Sequence, residues 1–170
     1  MWEYRGQKRP EFAETPGPGQ ESVWDYPRPP IVETRPCDIE VRAGAAILAK
    51  ADRCHRVLET ASPPSVYVPN DAVDFSKLTE IPSASMCEWK GRARYWALTN
   101  DPAGIPVAWA YEHPSERFAA IAGAVSFYPG RVECWLDGEQ VRPQPSEFYG
   151  GWMTDAIVGP VKGEPGTGHW

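Results

Sequence analysis

Apolar positions between residues 38 and 142 recur close to every second residue, the spacing at which a pleated strand presents side chains to one face. Ile39 and Val41 alternate with charged neighbours, Ala45 to Ala49 form a short apolar run after a turn at Gly44, and Val66-Tyr67-Val68 stops at Pro69. These segments predict strands. Cys87 to Leu98 and Val107 to Tyr111 predict two longer strands joined through Asn100-Asp101-Pro102-Ala103-Gly104, a connection rich in turn formers. Val125 to Tyr128 ends at Pro129-Gly130. Val132 to Leu136 and Glu139 to Val141 flank Asp137-Gly138, a pair suited to the positive φ angles of a tight hairpin turn. Helix signals are few: Ser115 is a cap candidate for a short segment reaching Ile121, and Asp71 or Asp74 for a turn or two before Pro82.

Both ends differ from this middle. Residues 16–36 hold Pro-Gly-Pro-Gly, Tyr26-Pro27 and Arg28-Pro29-Pro30, whose fixed φ angles and missing donors argue against a central strand or helix. An extended arm is expected, held down by Trp24, Tyr26 and Ile31. The last residues, with Phe148-Tyr149-Gly150-Gly151-Trp152 and Gly163 to Trp170, combine flexible backbone with bulky anchors. The division predicted is an N-terminal arm over 1–37, a β-rich core domain over 38–142 and a C-terminal arm over 143–170 packed on the core. The two arms are expected to pack together.

Composition sharpens this picture. A chain of 170 residues with 42% hydrophobic content suits one sizeable core. Nineteen prolines and fifteen glycines exceed the roughly 12% of residues these two types average, yet fall short of the ~25 to 30% that marks disorder. The net charge of −6 disfavours polyphosphate binding over the whole surface, so nucleic acid is not an expected partner. The N-terminal residues lack the uninterrupted apolar core of a signal peptide, and no run reaches the ~18 apolar residues of a membrane span. A cytoplasmic protein without a membrane partner is expected. Cys37, Cys54, Cys87 and Cys134 lack paired spacing and read as reduced, buried small hydrophobes, so neither a metal nor a cofactor is expected.

Candidate chemistry concentrates in Cys87-Glu88-Trp89-Lys90-Gly91-Arg92-Ala93-Arg94-Tyr95-Trp96. Read as one strand, it places Lys90, Arg92 and Arg94 on one face and Trp89, Ala93 and Tyr95 on the other. Three cations on one face could hold an anionic ligand, with arginine supplying a planar fork. The plainer reading is a solvated face paired with acidic neighbours. Gly91 inside a strand signals a bulge or a close backbone approach. Trp109 and Tyr111 share one strand face, and with Tyr67, Tyr128, Tyr149 and Trp152 they form either a stacking pocket or the domain core. Glu59, in an otherwise apolar stretch, is the one candidate acid or base; a salt bridge to Lys90 or to an arginine is the plainer account. No nucleophile elbow or phosphate loop occurs.

Leu58-Glu59-Thr60, Tyr67-Val68-Pro69, Cys87-Glu88-Trp89-Lys90-Gly91 with Ala93 and Tyr95-Trp96, Ala108-Trp109 with Tyr111, and Phe127-Tyr128-Pro129 together resemble the domain of unknown function 427 family, also labelled nucleotidyltransferase-like. The resemblance covers roughly residues 38 to 142, and the flanking segments resemble the arms of longer, actinobacterial-type members. It implies a β-tent-like (Mss4-like) fold of two antiparallel sheets at an angle, similar to methionine sulfoxide reductases and the thalidomide-binding domain of cereblon. Many such relatives hold zinc with two cysteine pairs, a pattern this sequence lacks. By that likeness an aromatic cage would involve Trp96, Trp109 and Tyr111. The expectation is a β protein that binds a small, anionic or nucleotide-like molecule through Tyr67, Lys90, Arg92, Arg94, Tyr95, Trp96, Trp109 and Tyr111. The alternatives are a protein-interaction module that uses the Pro-rich arm or a sheet edge, whose partner could be a second copy of the chain, and a nucleotidyltransferase-like enzyme.

Overall fold

The computed structural model describes residues 1–170. Thirteen strands follow one another along the chain: β1 (Glu21–Ser22), β2 (Ile31–Ala43), β3 (Ala46–Leu58), β4 (Ser65–Tyr67), β5 (Leu78–Cys87), β6 (Gly91–Leu98), β7 (Pro106–Tyr111), β8 (Val125–Phe127), β9 (Glu133–Leu136), β10 (Glu139–Gln140), β11 (Arg142–Pro143), β12 (Trp152–Met153) and β13 (Ile157–Val158). The fold is mainly β. Helix is confined to single 3-10 turns at Val23–Asp25, Asn70–Ala72 and Phe75–Lys77 and a short segment at Glu116–Ile121. Asp74 caps its turn by accepting from the Ser76 amide, whereas Ser115 donates instead to the Trp89 carbonyl at 3.0 Å.

Two antiparallel sheets make the body, one ordered β10-β9-β2-β3-β4 and the other β5-β6-β7-β8. Their inner edges meet where Val68 and Val125 exchange both backbone hydrogen bonds, at 2.7 and 2.9 Å. That junction lets the two sheets continue into one curled half-barrel. Asp137 (φ 51°) and Gly138 (φ 81°) form the tight turn between β9 and β10, and Asp101 accepts from the Ala103 and Ile105 amides to shape the β6–β7 connection.

Alternation along the central strands divides the interior in two. Val66, Val68, Trp96, Ala108, Ala110, Val125 and Phe127 pack with Ile39, Val41 and Leu48 in the larger core. The intervening positions, Tyr67, Ala93, Tyr95, Trp109 and Tyr111, face the other way and pack with Phe118, Ile121 and Tyr128. Both faces of β7 and of the second half of β6 are therefore occupied, which explains their nearly continuous apolar character, while Arg92 and Arg94 keep one face of the first half of β6 polar.

One expectation is corrected here. The proline-rich segment does not stay extended to Pro36, because β2 starts at Ile31 and runs through that proline. The strand tolerates it because this half of β2 has only β3 beside it, β9 pairing from Ile39 onward, and because the register slips between Pro36 and Ile39. The remaining arm segments are ordered. Parallel pairing joins β1 to β13, and Trp24, Tyr26, Val23 and Ile157 form a third buried cluster with Leu58 and Ala61. Buried Arg28 ties both ends to the body, donating to the carbonyls of Tyr4 (3.0 Å), Trp170 (3.0 Å) and Thr60 (2.9 Å) and to Glu59 (3.1 Å).

A second buried guanidinium, Arg56, binds Glu21 of the arm (2.9 Å) and Glu33 (3.0 Å). The Arg56 hydrogen bond, aided by Tyr26, holds the Glu21 carboxyl below its ordinary value of 4.5. A depressed carboxylate stabilises the fold above its unfolded pKa and loses that contribution as pH falls through the folded value. Glu21→Gln is therefore expected to lower the melting temperature at pH 7, and the gap to the parent should close as pH falls below about 4.5. Melting curves between pH 7 and pH 3 check this; a gap that stays constant would show that the ion pair contributes nothing through Glu21.

Candidate functional site

The second aromatic cluster is the floor of a cavity of about 220 Å³. Cross-strand pairing sets Tyr95 opposite Trp109 and Ala93 opposite Tyr111, which brings the three rings to one face. Tyr67 enters from β4, and the Trp109 indole Nε1 donates to its hydroxyl at 3.1 Å. The two rings meet edge to face, 6.2 Å between centroids, and Tyr128 packs 4.6 Å from Trp109. Tyr95 shares a 2.6 Å hydrogen bond with Ser85, and Tyr128 donates to the Phe148 carbonyl. Burial pushes the hydroxyls of Tyr67, Tyr111 and Tyr128 above the ordinary tyrosine range, so these rings stay neutral.

Two lysines enter this aromatic setting. Lys90 is 8% exposed and Lys162 is 4% exposed. Neither ammonium has a carboxylate within ion-pair distance or a hydrogen-bond acceptor in the protein. Lys90 Nζ lies 5.4 Å from the Tyr111 ring centroid, and Lys162 Nζ lies 4.0 Å from that of Trp2 and 5.4 Å from that of Tyr149. Arg28 approaches the same Trp2 ring at 4.2 Å.

The two amines differ. Burial, the largest influence on Lys90, works against its charge, and the upward balance comes from Tyr67 and Cys87 where they ionise and, least, from Glu59. Burial, and next the Arg28 guanidinium, hold Lys162 below that value against a weaker pull from Glu59. Glu59 lines the same cavity, with one carboxylate oxygen on Arg28 and its side chain 22% exposed. Of the two accounts the sequence left open for it, the bridge to an arginine is the one present. Cys87 also lines the cavity and is half-buried rather than part of a core.

The structure brings together Tyr67, Lys90, Tyr95, Trp109 and Tyr111, with Glu59 at their side. It separates Arg92, Arg94 and Trp96 from them. The alternation rule assumed a strand running from Cys87, but residues 88–90 form a turn, and Gly91 at φ 95° starts the next strand. That turn rotates Lys90 out of the arginine row and onto the aromatic side. Arg94 instead bridges Glu80 (2.6 Å) and Glu112 (2.8 Å) on the opposite face, where Arg92 flanks a separate shallow depression. Trp96 belongs to the larger core, against Phe75. Asp71 and Asp74 lie outside the cavity, and no group of three histidine, cysteine or acidic side chains is placed to hold a metal ion.

Sequence reasoning named Tyr149 among the aromatics but missed the rest of the wall contributed by the arms: Trp2, Gln144, Gly150 and Lys162. Only the Gly150-Gly151 pair carried a local signal. A Cβ on Gly150 would sit 2.3 Å from the Trp109 ring, and one on Gly151 would sit 2.6 Å from Gln144 Oε1. The pair lets the C-terminal segment lie flat against the indole.

A family model for a domain of unknown function, DUF427, matches residues 31–138, well over half of the chain. The chain belongs to the DUF427 family. The matched span holds the aromatic floor, Glu59 and Lys90, while Trp2, Gln144 and Lys162 lie outside it, so in this chain the arms complete a cavity whose base belongs to the family domain. No curated protein matches the chain. No helix is long and apolar enough to cross a membrane.

Gly150→Ala is expected to push Trp109 off its seat and to destabilise the fold by about 1–3 kcal/mol, the usual penalty for overpacking. Urea denaturation with near-ultraviolet circular dichroism checks this; an unchanged midpoint and aromatic signal would mean the contact has slack.

Proposed function

We propose that this protein binds a small molecule with an anionic group and a flat or apolar body, the anion meeting Lys90, with Lys162 beside it, and the body packing on Tyr67, Tyr95, Trp109 and Tyr111. The observation that carries this reading is the pair of buried, unpaired lysines facing one cavity. A buried charge without a partner costs free energy, and such residues are found where a ligand completes the pairing. The cavity is smaller than the roughly 300–1,000 Å³ of usual small-molecule sites, so a compact carboxylate or monophosphate, or one end of a longer ligand, suits it better than a nucleoside triphosphate. Nucleotidyl transfer, the activity in the family's label, has less support, since Glu59 and Glu88 are the only carboxylates lining the cavity. The same reading places the protein in the cytoplasm with its four free thiols reduced.

The mouth of the cavity favours one second reading. Met86 and Phe148 are 73% and 60% exposed there, an apolar rim on which a protein partner or a second copy of the chain could sit. Sedimentation at increasing concentration tests the second copy, and association lost in Phe148→Ser would support it.

The ligand reading is tested by a thermal-shift screen of small carboxylates, sugar phosphates and ring-bearing monophosphates. A ligand present at ~100 times its dissociation constant adds about 2.7 kcal/mol, which for a chain of this size is a shift of roughly 5 to 10 °C. Lys90→Met should weaken any such ligand roughly 10- to 150-fold, the equivalent of about 1.5–3 kcal/mol for a charge-assisted hydrogen bond. The same variant should stay folded when ligand-free, with a melting temperature close to that of the parent, which separates loss of the ligand contact from loss of the fold. A destabilised Lys90→Met with unaltered affinity would instead make Lys90 a structural residue.

A further inference from the structure

From the surroundings of Lys162 we infer that this residue is a covalent anchor, its amine condensing with an aldehyde or ketone carbonyl of the ligand to form an imine while Lys90 holds the ligand's anionic group. The inference rests on the binding site proposed above and names the chemical class that the site takes: anionic carbonyl compounds.

The root of Lys162 is fixed. Its backbone amide donates to the Ala61 carbonyl at 2.7 Å, and its own carbonyl accepts from Gln144 at 2.6 Å. A 4% exposed residue held this way has few places to put its amine, and Nζ lies among the rings of Trp2 and Tyr149 on the cavity wall. A second cation, Arg28, approaches the same Trp2 ring, and no carboxylate pairs with the amine. An amine in an apolar pocket beside another positive charge is the recurrent setting of imine-forming lysines, because both features favour the unprotonated nucleophile. The depressed basicity of Lys162 agrees with that setting, while the raised basicity of Lys90 suits a permanent anion holder. Two like groups driven apart by their surroundings mark a division of labour.

The chemistry closes without a further reagent. The neutral amine of Lys162 adds to the carbonyl carbon, the C–N bond forms as the C=O π bond opens, and one N–H proton passes to the former carbonyl oxygen to give a carbinolamine, whose second N–H proton then leaves with the hydroxyl. Loss of the hydroxyl as water leaves the C=N bond. Glu59 lines the same cavity, and its oxygen not bound to Arg28 is the group available to take the amine proton and return it to the departing hydroxyl.

Pyridoxal 5′-phosphate is a suitable probe, combining a planar ring, a phosphate and an aldehyde; pyridoxine 5′-phosphate has the same ring and phosphate with an alcohol in place of the carbonyl. The full-length protein is incubated with the aldehyde, reduced with borohydride, digested and mapped by mass. The expected result is a reduced adduct on Lys162 that forms faster than any on the exposed Lys8, Lys50 or Lys77, that slows in Lys90→Met and that is absent in Lys162→Arg. Adducts confined to exposed lysines would overturn the inference. Should Lys162→Arg fail to fold, the parent protein decides alone: label on the peptide holding Lys162 supports the anchor, and its absence refutes it. Stabilisation by pyridoxine 5′-phosphate without label on Lys162 refutes the imine and leaves the anion site standing. No stabilisation by either compound, and no label, refutes both.

Discussion

Two backbone hydrogen bonds between Val68 and Val125 set the geometry on which the rest depends. They join the short edge strand β4 to the short edge strand β8 and so turn two sheets into a single curved surface. Because side chains alternate along a strand, the residue before Val68 must point away from the larger core. That residue is Tyr67, and the junction delivers its hydroxyl to the Trp109 indole on the neighbouring sheet. The aromatic floor thus follows from a main-chain pairing, and the larger core on the other face locks the pairing in place.

This arrangement also resolves the two readings that the aromatic residues allowed. Tyr95, Trp109 and Tyr111 are buried, as members of a core should be, and they line a cavity as well. The second aromatic cluster is closed on the sheet side by β6 and β7, and on the outer side by chain from the two ends. The covering segment brings Gly150 flat onto Trp109 and Gly151 against Pro63 and Gln144, so that it forms the outer wall of the cavity. Rings in such a wall are held rigidly by their packing. They can therefore receive a ligand's flat surface with little loss of side-chain entropy.

Local signals made the strands legible, and long-range ones hid half of the site. Asp137-Gly138, the Asn100 to Gly104 connection and the alternation at Ile39 and Val41 each depend on residues close in sequence, and the strands they predict are present. Pro36 misled because its missing donor rules out only a position flanked by strands on both sides, and whether a strand has two neighbours is a tertiary fact. Lys90 was visible as a cation near aromatics, yet its direction turned on whether the strand began before or after Gly91. A glycine at positive φ restarts the alternation, and composition does not announce it. Lys162 and Trp2 had no local signal at all, since their meeting requires both ends of the chain to converge on Arg28.

Charge supplies the last step. The protein carries a net charge of −6, and several of its surface cations are neutralised close by: Arg94 by Glu80 and Glu112, Arg42 by Glu40, Arg142 by Glu139 and Asp155. Inside, Arg28 and Arg56 are likewise paired with carboxylates. Lys90 and Lys162 depart from that habit, largely buried on the wall of a cavity and among aromatic rings. Hydrophobic residues of similar length would pack there without loss of stability, so stability does not account for their presence. A ligand's anion does, because the favourable pairing that the folded chain withholds from both lysines then becomes available to the molecule that enters.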